Sequence, residues 1–161
     1  MDRALVVNAS PLILLARIDR LDLLTSLTKL LVVPEAVIRE IQAGSDRDGT
    51  ADKIKDLASI LQVDDRPVPD QIRSWDLGAG ESQVLAHGLE RRGSEVVLDD
   101  LAARRCARSL GLTMIGTLGI VVLCRHRGII SAARPVMETL REAGLRLKPA
   151  LMDQALAKVG E

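Results

Sequence analysis

The sequence predicts an α/β fold built on a mostly parallel sheet of four to five strands. Two observations carry this expectation. Short apolar runs of strand length alternate with longer segments whose apolar residues recur at helical spacing. Polar and acidic residues sit just after several of the runs, where ligands bind in open parallel sheets.

Ala4-Leu5-Val6-Val7 reads as the first strand, ending at Asn8-Ala9-Ser10-Pro11. Ser10 suits a helix cap and Pro11 a first turn. Leu12, Leu15 and Ala16, then Leu23, Leu24 and Leu27, repeat at helical spacing around Asp19. Leu30–Val33 reads as a second strand, and Pro34 opens a helix that ends near Gly44. Residues 45–52 are polar and read as a loop. Ile54, Leu57, Ala58 and Leu61 mark a further helix, and 63–69 a turn-rich connection.

Glu81 to Arg92 is strongly helical after Leu77-Gly78-Ala79-Gly80 and stops at Gly93. Glu95–Leu98 is a strand ending at Asp99-Asp100. On the helix 101–110, Ala103, Cys106 and Ala107 share one side, and Arg104, Arg105 and Arg108 the other. Thr113–Ile115 is a strand. Periodicity leaves Leu118–Cys124 between strand and helix; its position and length favour a helix ending at Gly128. Helices follow at about 131–143 and 149–159, and Leu145–Leu147 between them is of edge-strand length. One domain spans 1–161, with its motifs within about 4–130 and the last helices at about 131–159.

Composition narrows the function. One Trp and no Phe or Tyr among 161 residues exclude a reader that stacks several bases on aromatic rings. Cys106 and Cys124 lie in apolar runs without metal-ligand spacing, which points to a reducing cytoplasm. The longest uncharged stretch, Ser109–Cys124, has 16 residues, short of the roughly 20 that cross a bilayer. Net charge is zero, yet residues 1–100 hold 12 basic and 18 acidic side chains and residues 101–161 hold 10 and 4. Leu101 to Met137 carries six arginines and no acid, a basic face suited to phosphate or merely to solvent.

Carboxylates gathered at one end of a sheet repel one another unless a cation lies between them. Oxygen donors without His or Cys suit Mg²⁺ or Mn²⁺. Glu40, Glu81 and Asp99 are the candidates. Each has a plainer reading: Glu40 as a solvated helix residue, Glu81 as a complement to the helix dipole, Asp99-Asp100 as two caps. Either Asp99 or Asp100 can face the metal. His87, mid-helix among apolar residues, reads as structural or solvent-facing. His126, between Arg125 and Arg127, suits a helix C-terminus or a phosphate-binding surface, and Trp75 an anchor for the 63–77 connection. A phosphoacceptor of the receiver type needs paired acids after the first strand and a Lys after the last; Asn8 stands at the first and no Lys at the second.

Five stretches in order carry a resemblance: Val6-Val7-Asn8-Ala9-Ser10-Pro11-Leu12-Ile13, Pro34-Glu35-Ala36-Val37-Ile38-Arg39-Glu40-Ile41, Leu77-Gly78-Ala79-Gly80-Glu81-Ser82, Val97-Leu98-Asp99-Asp100-Leu101-Ala102-Ala103-Arg104 and Gly116-Thr117-Leu118-Gly119-Ile120. Together they resemble the motifs of PIN-domain proteins, in the branch related to VapC-type toxin ribonucleases. The resemblance implies an α/β/α sandwich and an endoribonuclease dependent on Mg²⁺ or Mn²⁺, leaving 5′-phosphate and 3′-hydroxyl ends. Glu40, Glu81 and Asp99 would be its acidic ligands, with Asn8 and Asp100 beside them and Ser10 orienting the first-strand position. Arg104, Arg108, Arg125 and Arg127 would hold RNA. A small antitoxin and a second copy in a homodimer are the implied protein partners. The departure is Asn8, where the family normally has an acid. An amide oxygen still ligates a divalent ion but brings no charge, so a weakly catalytic module that binds nucleic acid or protein is the alternative expectation.

Overall fold

The computed structural model describes residues 3–44 and 49–161. Part of the polar stretch expected as a loop, 45–48, lies outside the described residues. Five strands form one sheet, all parallel: β1 (Leu5–Val7), β2 (Leu31–Pro34), β3 (Ile60–Val63), β4 (Glu95–Val97) and β5 (Met114–Ile115), in the order β3-β2-β1-β4-β5. The helices are α1 (Ala9–Arg17), α2 (Asp22–Thr25), α3 (Glu35–Gly44), α4 (Thr50–Lys55), α5 (Asp70–Arg73), α6 (Ala79–Glu90), α7 (Leu101–Ser109), α8 (Thr117–His126), α9 (Arg134–Glu142) and α10 (Pro149–Ala157). None of the described helices is long and apolar enough to cross a membrane.

The central strands are uninterrupted apolar runs because both faces are covered. Leu5, Val6 and Val7 in β1 and Leu31, Val32 and Val33 in β2 are all buried. The flanking helices complete an aliphatic core with Leu12, Leu15, Leu24, Val84, Leu85 and Ile120. Both thiols lie in it without a disulfide, and burial pushes the Cys124 thiol up to about 11.

The chain winds from β1 outward to β2 and β3, then returns to the other side of β1 for β4 and β5. The direction of winding therefore reverses between β1 and β4. A crevice opens at such a switch point, beyond the carboxyl ends of the strands. Asn8 follows β1 there and Asp99 follows β4. The bond from Asn8 N–H to the Val97 carbonyl, 3.1 Å, extends the β1–β4 pairing one residue past β1.

Several boundaries differ from the sequence expectation. Ile60–Val63 is a strand rather than the end of a helix. The helix that Ile54 anchors ends at Lys55, and Leu61 faces outward at 41% exposure because β3 is the sheet's edge. Leu145–Leu147 is no strand: no backbone bond joins it to β5 among the described residues. Among the described residues Ser10 makes no capping bond; Asn8 holds the cap position and Ser10 is exposed in the first turn of α1. The helical run around Asp19 breaks into α1 and α2, with Asp19 at a φ of 55°. Trp75 is 37% exposed, and the fully buried Ile72 anchors the 63–77 connection instead.

Helix α6 lies close against the sheet at Gly88, where a Cβ would stand 2.6 Å from Val96 Cγ1. Gly88→Ala should therefore lower stability in urea unfolding by about 1–3 kcal/mol, despite alanine's better helix propensity. Adding Val96→Ala, which removes the obstructing methyl groups, should make the two effects less than additive.

Candidate active site at the carboxyl edge of the sheet

Four acids gather at the carboxyl edge, and each is held by a backbone N–H in or beside the first turn of a helix. At α6, Gly78 N–H donates to Glu81 Oε2 at 2.9 Å and Gly80 N–H donates to Glu40 Oε1 at 2.8 Å. At α7, Ala103 N–H donates to Asp100 Oδ2 at 2.9 Å. At α8, Thr117 N–H donates to Asp99 Oδ1 at 2.7 Å, and the Thr117 hydroxyl donates to Asp99 Oδ2 at 2.6 Å. Helix N-termini carry free N–H groups and the positive end of the peptide dipoles, so they favour carboxylates. Gly80 leaves room for the Glu40 contact, because a Cβ there would fall 2.7 Å from Glu40 Oε1.

The acids are not equivalent. Burial pushes the Glu81 carboxyl above its ordinary value, the Gly78 N–H opposes that, and the charges of Asp100 and Glu40 push it further up. Glu40, Glu81 and Asp100 thus form one electrostatic group around α3, α6 and α7. Asp99 is bonded at α8, where Thr117 engages both of its oxygens. Asp100 caps α7, as one of the two plainer readings expected, and its charge also acts on Glu81.

Asn8 is 4% exposed, and its Oδ1 is buried without a hydrogen-bond partner among the described residues. A buried acceptor left unpaired is costly. Nothing from Ser10, exposed on α1, is bonded to it. As the side chains stand, no three of the described His, Cys, Asp or Glu residues are grouped to hold a metal ion. The donors present are nonetheless hard oxygens, and the orphaned Asn8 oxygen is one that an ion or its water would satisfy. This set fits Mg²⁺ or Mn²⁺.

The expected arginines do not form one surface. Arg104 is half-buried, donates from Nη1 to the Leu98 carbonyl at 3.0 Å, and lines a cleft with Asp99. Arg108 is exposed near the far end of α7. Arg125 donates to Glu161 Oε1 at 3.2 Å. Arg127 lies with Arg3 and Glu95 at the amino edge of the sheet, opposite the acids. His126 is exposed in the last turn of α8. His87 is buried, its Nε2 3.0 Å from the Asp64 carbonyl, so it braces the 63–69 connection. Thr117 is the site residue that sequence reasoning passed over, although its Gly-Thr pair at a strand-to-helix junction was visible in the motif.

Two measurements probe this arrangement. A carboxyl raised in the folded state favours folding below its ordinary value of about 4.3, and that contribution is lost as pH rises through the folded value. Glu81→Gln should therefore melt above the parent at pH 7, with the gap closing toward pH 4. Thr117→Val leaves one Asp99 oxygen without its hydroxyl donor and should cost about 1–3 kcal/mol in chemical unfolding near neutral pH.

A protein-family model described as a PIN domain matches residues 4–161. No curated protein matches the chain. PIN domains are generally nucleases that use divalent metal ions, and the parallel sheet with flanking helices is consistent with that fold. With nearly its whole length matched, this chain belongs to the PIN-domain family.

Proposed function

We propose that this protein is a Mg²⁺- or Mn²⁺-dependent endoribonuclease, and that it acts as the toxin half of a toxin–antitoxin pair. The observation that supports this most is the set of four carboxylates at the carboxyl edge of the sheet, together with the unpartnered oxygen of Asn8 at the end of β1. Glu40, Glu81, Asp99 and Asp100 would hold the ion, with Asn8 Oδ1 as a neutral donor. Bound there, the ion would acidify a water and stabilise charge developing at phosphorus.

The chain's own groups have separable tasks. Thr117 fixes the Asp99 carboxylate through two bonds, so its orientation is set before any substrate arrives. The Gly80 N–H does the same for one oxygen of Glu40. Each of these carboxylates keeps lone pairs beyond those bonds, enough to face an ion as well. Arg104, beside Asp99, offers a cation to a phosphate that the acids alone would repel. A small antitoxin that covers the acids, and a homodimer, complete this proposal.

A second reading has its own support in Asn8. Amide for carboxylate removes one negative charge from the position after β1, and a divalent ion is attracted less. On this reading the chain binds nucleic acid or a protein partner and cleaves little.

Cleavage of a labelled RNA pool across a titration of Mg²⁺ and Mn²⁺ separates the two, with Asp99→Ala as blank. The expected result is slow cleavage, stronger in Mn²⁺, and faster cleavage with tighter Mn²⁺ binding in Asn8→Asp by calorimetry. If both parent and Asn8→Asp stay at the blank's rate while still binding RNA, the binding module is correct. A fast parent that Asn8→Asp slows would show that the amide is tuned for this site.

A further inference from the structure

Beside Asp99 a cleft of about 510 Å³ runs between β5, α8 and α10. Its floor is aliphatic, formed by Met114, Ile115, Leu118 and Val122, and Leu147 and Leu151 wall it. Leu151 is 49% exposed, high for a leucine in contact with a core. Three cations line the cleft, Arg104, Arg146 and Lys158, against the single acid Asp99. Neither Arg146 nor Lys158 has an ion-pair partner among the described residues, and both are exposed. Gln154 adds an exposed amide, a donor and an acceptor side by side.

The backbone contributes as well. The Thr113 and Ile115 carbonyls are spent on β4. Alternation along a strand then turns the Met114 peptide groups to the sheet's outer edge. Leu145–Leu147 passes that edge without bonding to it. A free strand edge, an apolar floor, one amide and an excess of positive charge thus share a cleft that opens onto a carboxylate of the candidate site.

We propose that this cleft is the subsite for an unpaired nucleotide of single-stranded RNA flanking the scissile phosphate. It rests on the endoribonuclease reading above. Arg146 and Lys158 hold the phosphates, the aliphatic floor receives the base face, and Gln154 meets the base edge. Charge decides the occupant: phosphates need the two unpaired cations and would neutralise them, and Arg104 extends the same positive line to Asp99. Without an aromatic ring in the cleft, the base is selected by fit and by hydrogen bonds rather than by stacking. The volume lies within the range of small-ligand sites and suits one nucleoside.

The test is fluorescence anisotropy with a 5′-labelled, mixed-sequence, single-stranded 12-nucleotide RNA in excess EDTA, so that binding is read without turnover. Arg146→Glu with Lys158→Glu should weaken binding at least tenfold. It should also flatten the dependence of log affinity on log salt by about 1.4, roughly 0.7 per lost phosphate contact. Lys55→Glu with Arg92→Glu, the same charge change away from the cleft, should move affinity less than threefold. Gln154→Ala should keep the salt slope but change the ranking of homopolymeric RNAs. Melting followed by circular dichroism should match the parent for every variant, as expected of exposed positions. If the cleft pair binds like the parent, or both pairs weaken binding equally, the subsite is refuted and the cleft is left for a protein partner; parent cleavage of RNA in Mn²⁺ would then still uphold the nuclease reading. A parent that neither binds nor cleaves RNA overturns the nuclease reading and the subsite with it.

Discussion

The arrangement of this protein depends on one electrostatic constraint: like-charged carboxylates kept together at the positive ends of helices. Glu40 and Glu81 are bonded at the start of α6, Asp100 at the start of α7 and Asp99 at the start of α8. Each N–H used is one that a helix leaves without an internal partner, so satisfying it and restraining the acid are the same bond. Burial raises the Glu81 carboxyl most, the Gly78 N–H offsets part of that, and the charges of Asp100 and Glu40 add to the rise. Glu40, Glu81 and Asp100 are therefore held within electrostatic reach of one another, each in an orientation set by a backbone N–H.

The topology makes that constraint possible. Because β1 is central and the winding reverses between β1 and β4, the loops after these strands diverge and leave a crevice. Helices returning toward the amino edge start beside it. Short strands with apolar residues on both faces cannot pair in isolation, so the sheet depends on helix packing that simultaneously fixes where those helix starts lie. Gly88, which admits Val96 into the α6 surface, and Gly80, which admits the Glu40 carboxylate, are places where a missing side chain sets these distances.

Charge along the chain and charge in space are different properties here. The acid-free segment from Leu101 to Met137 suggests a single basic face, yet its arginines divide between the two edges of the sheet. Arg104 reaches the Asp99 side, Arg125 is taken up by Glu161 and Arg127 sits by Glu95 at the other edge. The cations nearest the Asp99 cleft besides Arg104 come from outside that segment, in the approach to α10 and on past its end. Helix α8 begins at Thr117 beside Asp99 and runs about 1.5 Å per residue, so Arg127 at its C-cap stands at the opposite edge.

Residues alone determined the fold class, four of the five strands, and helices expected at about 34–44, 81–92 and 101–110, because apolar periodicity and Gly or Pro punctuation are local signals; for 118–128 periodicity left strand and helix open, and position and length favoured the helix. Glu40, Glu81 and the Asp99-Asp100 pair were also legible, since each stands at a fixed place in a motif near a strand or helix end. Strand β3 was not: Leu61 points to solvent on an edge strand, and its spacing from Ile54, Leu57 and Ala58 imitates a helix. Nor was the division of the acids, with Glu81 answering to Asp100 and Glu40 while Asp99 turns to Thr117. The orphaned Asn8 oxygen was likewise invisible, because an unmet hydrogen bond is a property of everything surrounding an atom. Tertiary structure alone decided these points: they depend on which helix start lies opposite which side chain, a distance set by strand order and packing between residues far apart in the chain.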